Sequence, residues 1–431
     1  MSTTSRKMKF YNLRDLDKIP QILRLPKDLI FQMKVVSNIL PFRANNYVIE
    51  DLINWDNIPN DPIFQLTFMQ PKMLDPHHFN TMAETLISNA TEKEINQVAN
   101  KIRLELNPHP SGQLSSNVPS INDEPVEGVQ HKYKQTCLVF PSQGQTCFSY
   151  CTFCFRWPQF IGIKELKFAT EKTKKFISYI KEHKEITDIL ITGGDPMIMN
   201  AKTLSAYIDP FLEPEFEHIK NIRIGTKALT YWPYRFTTDK DHEEILKLFE
   251  KVSTAKKQLA FMSHINHWKE TAHPEVEKAI KNIKSTGAQI RTQTPLLKHI
   301  NNSPEVWIKM WNEQTRLGMI PYYMFVERDT GPKAYFEVPL VEAFDIYQNA
   351  YKNVSGLART ARGPSMSADP GKVVVDGITE INGEKVFVLS FLQAREPDHS
   401  KKPFFAKYDE KATWLNHLKP AFGQEKFFFE K

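Results

Sequence analysis

The chain has 431 residues, 41% of them hydrophobic and 25% charged, which is enough to bury two or three cores without cross-links. Four cysteines are too few for a disulfide framework, and 56 basic against 50 acidic residues give a net charge of only +6, with no run of five basic residues of the kind that marks a nucleic-acid or membrane patch. No apolar run approaches a membrane span and residues 1–23 lack a signal-peptide core, so a cytoplasmic protein without nucleic-acid or membrane partners is expected.

Residues 1–130 read as helices and loops that end in a Pro-, Asn- and Ser-rich connector over 107–126. Short β-type runs then alternate with helical ones, and strands are predicted at 136–140, 188–192, 222–225, 259–264, 289–294 and 321–326. Between them, Ile245, Leu248, Phe249 and Val252 recur at i, i+3, i+4 and i+7, as do Val276, Ala279, Ile280 and Ile283, so each helix has one buried stripe. Ser303-Pro304-Glu305 supplies an N-cap, a first-turn proline and a first-turn acid for another. Six strands each followed by a helix imply an α/β fold, a partial (β/α)6 TIM-like barrel with a helical N-terminal region and a C-terminal extension. The expected divisions are 1–130, 131–352 and 353–431, with a further pair of strands at 373–375 and 386–391. Functional groups are expected in the loops after the barrel strands.

Cys147, Cys151 and Cys154 follow the first of these strands at spacings of four and three, so three thiols can converge within one loop. Cys137, inside an apolar run, reads as a small packed hydrophobe. A closed zinc site needs four ligands, and no second Cys-x-x-Cys or His pair stands nearby. A ferredoxin-type cluster also takes four thiolates, whereas three on a four-iron cluster leave one iron open. Glycine is scarce, 16 of 431 against an average of about 7%, which makes the pair Gly193-Gly194 after the second strand informative. It is followed by Asp195, an acceptor placed where backbone can approach a ligand closely.

The run CFSYCTFC resembles the CxxxCxxC signature of the radical S-adenosylmethionine superfamily. Residues 55–400 resemble the lysine 2,3-aminomutase family within it, through Asn60-Asp61-Pro62, Gly128 to Tyr133, Cys154-Phe155-Arg156, Ile189 to Asp195, Ile222 to Lys227, Ser263 to His267, Ile290 to Gln293, Pro321-Tyr322-Tyr323 and the segment 385–397. The resemblance implies a [4Fe-4S] cluster on the three cysteines and S-adenosyl-L-methionine beside Gly193, Gly194, Asp195, His264 and Gln293. It also implies pyridoxal 5'-phosphate on Lys372 as the Schiff-base lysine, with Lys132 and Tyr133 at the coenzyme and Lys227 at its phosphate. Lys132 matches a basic residue of the family and Lys227 its phosphate-binding arginine; both are lysine here, which keeps the charge and loses the bidentate fork. The longer glycine run that precedes the family's lysine is also missing before Lys372.

Arg156 matches the arginine that holds the substrate α-carboxylate. The two aspartate positions that grip the lysine ammonium in the family fall on Arg328 and Ser365, and a guanidinium facing an ammonium in a low-dielectric pocket would repel it. A one-residue slip would place Glu327 or Asp329 there instead. The implied function is a 2,3-aminomutase, an isomerase acting on a small amino acid that is acidic or neutral, driven by a reducing donor such as flavodoxin or ferredoxin. Two other readings stay open: a radical enzyme without pyridoxal chemistry acting on a peptide or protein lysine, and an iron–sulfur electron-transfer or sensor protein. No cysteine follows Cys154, so the C-terminal zinc seen in some relatives is not expected, and a homo-oligomer is left open.

Overall fold

The computed structural model describes residues 6–112, 116–171 and 173–430. Eleven strands form one open sheet: β1 (Val129–Tyr133), β2 (Thr136–Val139), β3 (Asp188–Ile191), β4 (Asn221–Thr226), β5 (Gln258–His264), β6 (Gln289–Leu296), β7 (Ile320–Val326), β8 (Arg362–Ser367), β9 (Gly371–Ile381), β10 (Glu384–Ala394) and β11 (Pro403–Lys407). The strands lie side by side in sequence order. β2 to β8 pair in parallel, while β1 at one edge and β9 to β11 at the other are antiparallel.

Each strand from β2 to β7 leads to a helix, in turn Thr173–Glu182, Ala201–Ile208, His242–Thr254, Pro274–Ser285, Pro304–Arg316 and Leu340–Lys352. These are the six expected βα units of a partial barrel, and the predicted stripes of the third and fourth helices are buried. The period of two along the strands divides the faces: Ile222 and Ile224 are buried in the core, while Arg223 and Gly225 line the barrel interior.

Three strands of this sheet escaped the sequence: β1 and β11 at the two edges, and β8 within the sheet. β8, Arg-Gly-Pro-Ser-Met-Ser, has neither β-branched residues nor alternation, and its proline argues against a central position. It pairs with β7 nevertheless, with a register shift between Tyr323 and Phe325, a local irregularity of the kind that admits proline. Gly363 permits the approach, since a Cβ there would stand 2.5 Å from the Met324 carbonyl oxygen.

Two apolar cores result. The larger unites residues from Tyr11 to Ala361, so the N-terminal helices Lys27–Ser37, Pro76–Ile87 and Glu92–Glu105 share a core with the barrel. The smaller joins Val326 and Leu340 to the β8–β11 extension and to Trp414, Leu418 and Phe427. Among the described residues no helix is long and apolar enough to cross a membrane.

Candidate functional site

A cavity of about 340 Å³ opens at the C-terminal ends of the parallel strands, and every residue singled out from the sequence lines it except Ser365. Ser365 sits two pairs deeper in β8 than Ser367, which does reach the wall. Its buried Oγ has no hydrogen-bond partner among the described residues. Ser365, expected to meet a substrate, is buried and is not among the residues that line the cavity.

The cysteine loop is held from the N-terminal region. Asn45 donates from Nδ2 to the carbonyls of Phe148 and Tyr231 at 3.0 and 2.8 Å, and its N–H donates to Ser149 Oγ at 3.1 Å. Arg43 bonds Thr146 Oγ1, and its carbonyl accepts the Tyr150 N–H. Asp61, of the Asn-Asp-Pro element, caps the helix Pro62–Thr67 by accepting from the Ile63 and Phe64 N–H groups, and pairs with Lys269 at 2.9 Å. The far end of that helix presents the Leu66 and Gln65 carbonyls to the Thr152 N–H and hydroxyl. A helix end thus spends its orphan acceptors between two of the cysteines.

Cys147, Cys151 and Cys154 are half-buried, whereas Cys137 is fully buried in the core. Burial pushes the Cys154 thiol up to about 11 and the Cys151 thiol to about 12, and Cys147 is raised by burial, Asp195 and the other two thiols. Arg43, Lys227 and Arg156 oppose the shift. No three His, Cys, Asp or Glu side chains among the described residues are placed to share one metal ion. Three thiols on one loop match the donor set of a polynuclear cluster, in which each thiolate binds a different iron.

The Gly-Gly-Asp turn packs directly against this loop. A Cβ on Gly194 would stand 2.5 Å from the Thr146 backbone, and Gly193, at φ +150°, lies against the Gln145 side chain. Asp195 is 2% exposed. It accepts from Thr226 Oγ1 at 2.6 Å, the Lys227 N–H at 2.8 Å and the Met197 N–H at 3.0 Å, while burial raises it to about 6. His264 and Gln293 face each other on β5 and β6 at 2.7 Å between side-chain nitrogens, and burial with Lys227 lowers the imidazole to about 3. It is neutral, and accepts from the amide.

Lys227, expected at the coenzyme phosphate, already has protein partners. Its amine is bound to Glu270 at 2.5 Å, to Asn266 at 2.8 Å and to the His264 carbonyl at 3.3 Å. Lys372 is placed on β9, not in a loop, paired with Ser367 and Gln393. Burial, with Arg223, Arg362, Lys132 and Arg328, holds its amine well below the ordinary lysine value. A lowered lysine amine is more readily available as a nucleophile. Tyr323, Phe325 and Tyr133 surround it with rings at 4.2, 5.7 and 5.9 Å. Lys132, lowered to about 7 by burial, donates to the Ala368 carbonyl in the turn before Lys372. Burial raises Tyr133 to about 12.

Arg156 is 6% exposed, stacked 4.1 Å over the Phe140 ring. Its Nε has no hydrogen-bond partner and it forms no ion pair among the described residues. Its neighbour Trp157 is anchored to Thr330 Oγ1 at 3.0 Å. Arg328 lies 4.4 Å over Phe155, again without an ion pair among the described residues. Glu327, raised well above its ordinary value by burial, lines the same wall. Asn45, Arg43 and Thr152 went unnoticed in the sequence because their roles are contacts across more than 80 residues of chain.

No protein-family model matches the chain. A protein of Aquifex aeolicus (strain VF5) named "Putative L-lysine 2,3-aminomutase" is 30% identical over 413 residues, covering 95% of each chain. The L-lysine 2,3-aminomutase of Bacillus subtilis (strain 168) is 30% identical over 237 residues, 55% of this chain and 47% of its own length. A radical SAM methyltransferase from Sphaerobacter thermophilus aligns in structure over 56% of this chain and 68% of its own, with a TM-score of 0.38 and 16% identity. On the full-length similarity, the chain belongs to the lysine 2,3-aminomutase family of the radical S-adenosylmethionine superfamily.

Proposed function

We propose that the protein is a pyridoxal phosphate-dependent 2,3-aminomutase acting on an acidic amino acid, with S-adenosylmethionine and a [4Fe-4S] cluster. The observation that carries the substrate class is the pair Arg156 and Arg328, two guanidiniums on one cavity wall with no carboxylate bound to either among the described residues. A buried guanidinium held only by neutral acceptors, as Arg156 is by Gln145 Oε1 and the Phe168 carbonyl, favours an anionic ligand over a cationic one. Arg156 would take the α-carboxylate and Arg328 the side-chain carboxylate, while an ammonium at the second place would be repelled.

Cys147, Cys151 and Cys154 would hold the cluster, with Gly193, Gly194, Asp195 and the His264–Gln293 pair flanking S-adenosylmethionine. Lys372, Lys132 and Tyr133 would hold pyridoxal phosphate. When bound, the cluster and S-adenosylmethionine initiate the radical and the coenzyme carries the migrating nitrogen. The chain's own part is to lower the Lys372 amine by burial among cations, to orient the substrate between two arginines and to enclose the site with Tyr133, Phe155 and Tyr323. Anaerobic reconstitution with iron, sulfide and both cofactors, followed by product analysis on a panel of amino acids, tests the reading. Conversion of L-lysine together with none of aspartate or glutamate would overturn the substrate class.

A further inference from the structure

A route of direct contacts runs from the cysteine loop to an exposed basic face. Phe153, next to Cys154, meets the Phe336 ring at 6.3 Å; Phe336 meets Tyr335 at 4.9 Å; and Tyr335 lies 4.4 Å from the His299 ring. A second link is hydrogen-bonded. Tyr335 Oη donates to Gln65 Oε1 at 2.7 Å, and the Gln65 carbonyl accepts from Thr152 Oγ1 at 2.8 Å, between Cys151 and Cys154.

The outer end of the route is basic. His299 is exposed with Lys298 beside it, and Lys72, also exposed, is close enough for its charge to help lower the imidazole, after partial burial. Among the described residues neither Lys72 nor Lys298 forms an ion pair, whereas Lys333, two residues before Tyr335, is taken up by Asp329 and Glu337. The N-terminal ribbon offers no such face, since Arg6 is bound to Glu50 and Asp51.

We propose that Lys72, Lys298 and His299 form the docking surface for a small acidic protein that delivers one electron to the cluster. The proposal rests on the cluster assignment of Cys147, Cys151 and Cys154. At this step the donor is oxidised by one electron and the cluster is reduced by one; no bond or proton moves. An acidic partner is specified because exposed cations not taken up in ion pairs steer anionic surfaces and set the association rate. The packed and hydrogen-bonded path behind the patch gives the electron a continuous route inward.

The experiment uses the full chain reconstituted with its cluster, and reduced flavodoxin as the probe. The double variant Lys72→Glu/Lys298→Glu should slow cluster reduction by flavodoxin at least about tenfold at low salt, and the wild-type rate should fall as salt rises. Reduction by dithionite, a small inorganic donor, should be the same in both proteins. Lys202→Glu, an exposed lysine on the helix Ala201–Ile208, should leave both rates unchanged. An unaltered flavodoxin rate in the double variant, or an equal loss in Lys202→Glu, overturns the docking surface while leaving the cluster intact. A wild-type chain that assembles no cluster reducible by dithionite overturns the cysteine assignment and the docking surface with it.

Discussion

The amine of Lys372 lies 4.2 Å from the ring centroid of Tyr323. Its hydrogen-bond partner is Gln393 Oε1 at 3.1 Å, a neutral acceptor, and its charged neighbours are cations. Burial and those cations together disfavour an ammonium ion there. Added pyridoxal phosphate should give the wild-type protein a visible absorbance band that Lys372→Ala and Lys372→Arg both lack. Because the amine is held well below the ordinary lysine range, the band should form fully at neutral pH. A band retained in Lys372→Ala would move the role to another amine.

Lys132 makes stability pH-dependent. Its folded value of about 7 lies below the ordinary 10.5, so between those limits the unfolded chain binds a proton that the folded chain does not. Stability from this site therefore rises with pH across that window, by at most about 1.4 kcal/mol per unit. Urea midpoints of the protein without added cofactors, measured at pH 7.5 and 9 or so, should rise less in Lys132→Met than in wild type.

Gly194→Ala should perturb the cysteine loop. The new methyl would stand 2.5 Å from Thr146 backbone atoms, and backbone on both sides leaves no side chain to move. A cost of about 1–3 kcal/mol is expected, with reduced iron content after reconstitution. Normal iron content and an unchanged urea midpoint would count against this packing.

Asn45→Ala removes the side chain that holds the Phe148 and Tyr231 carbonyls. Leaving those groups unsatisfied in the core should cost about 1–3 kcal/mol. The variant should lose bound iron faster than wild type when challenged with a chelator.

Arg328→Asp should reverse the substrate preference. Losing a charge-assisted bond worth about 1.5–3 kcal/mol lowers kcat/KM for the acidic substrate about 10- to 100-fold. L-lysine turnover should rise in the same variant. A preference left unchanged would show that Arg328 does not face the substrate.

Periodicity and turn chemistry made the six βα units legible, because a strand buried on both faces and a helix with one buried stripe leave local signatures. Three thiols in eight residues and a rare Gly-Gly pair were legible for the same reason: their chemistry is written within one loop. β8 was not, since its Gly-Pro-Ser core carries no strand signal and its place comes from pairing with β7. Nor was the engagement of Lys227, whose family position suggests a free cation until Glu270, 43 residues on, arrives to pair with it.

The sequence by itself determined which groups of this protein can do chemistry, namely the cysteine loop, the glycine turn after the second strand and the candidate lysine. Only the tertiary structure decided which of them face one cavity and in what ionisation state. Burial and long-range contacts set those properties: the Lys372 amine is lowered by burial and by the cations Arg223, Arg362, Lys132 and Arg328, and Ser365 lies two pairs deeper in β8 than the Ser367 that reaches the cavity wall. Side-chain identity is local information, whereas desolvation and partnership belong to the assembled fold.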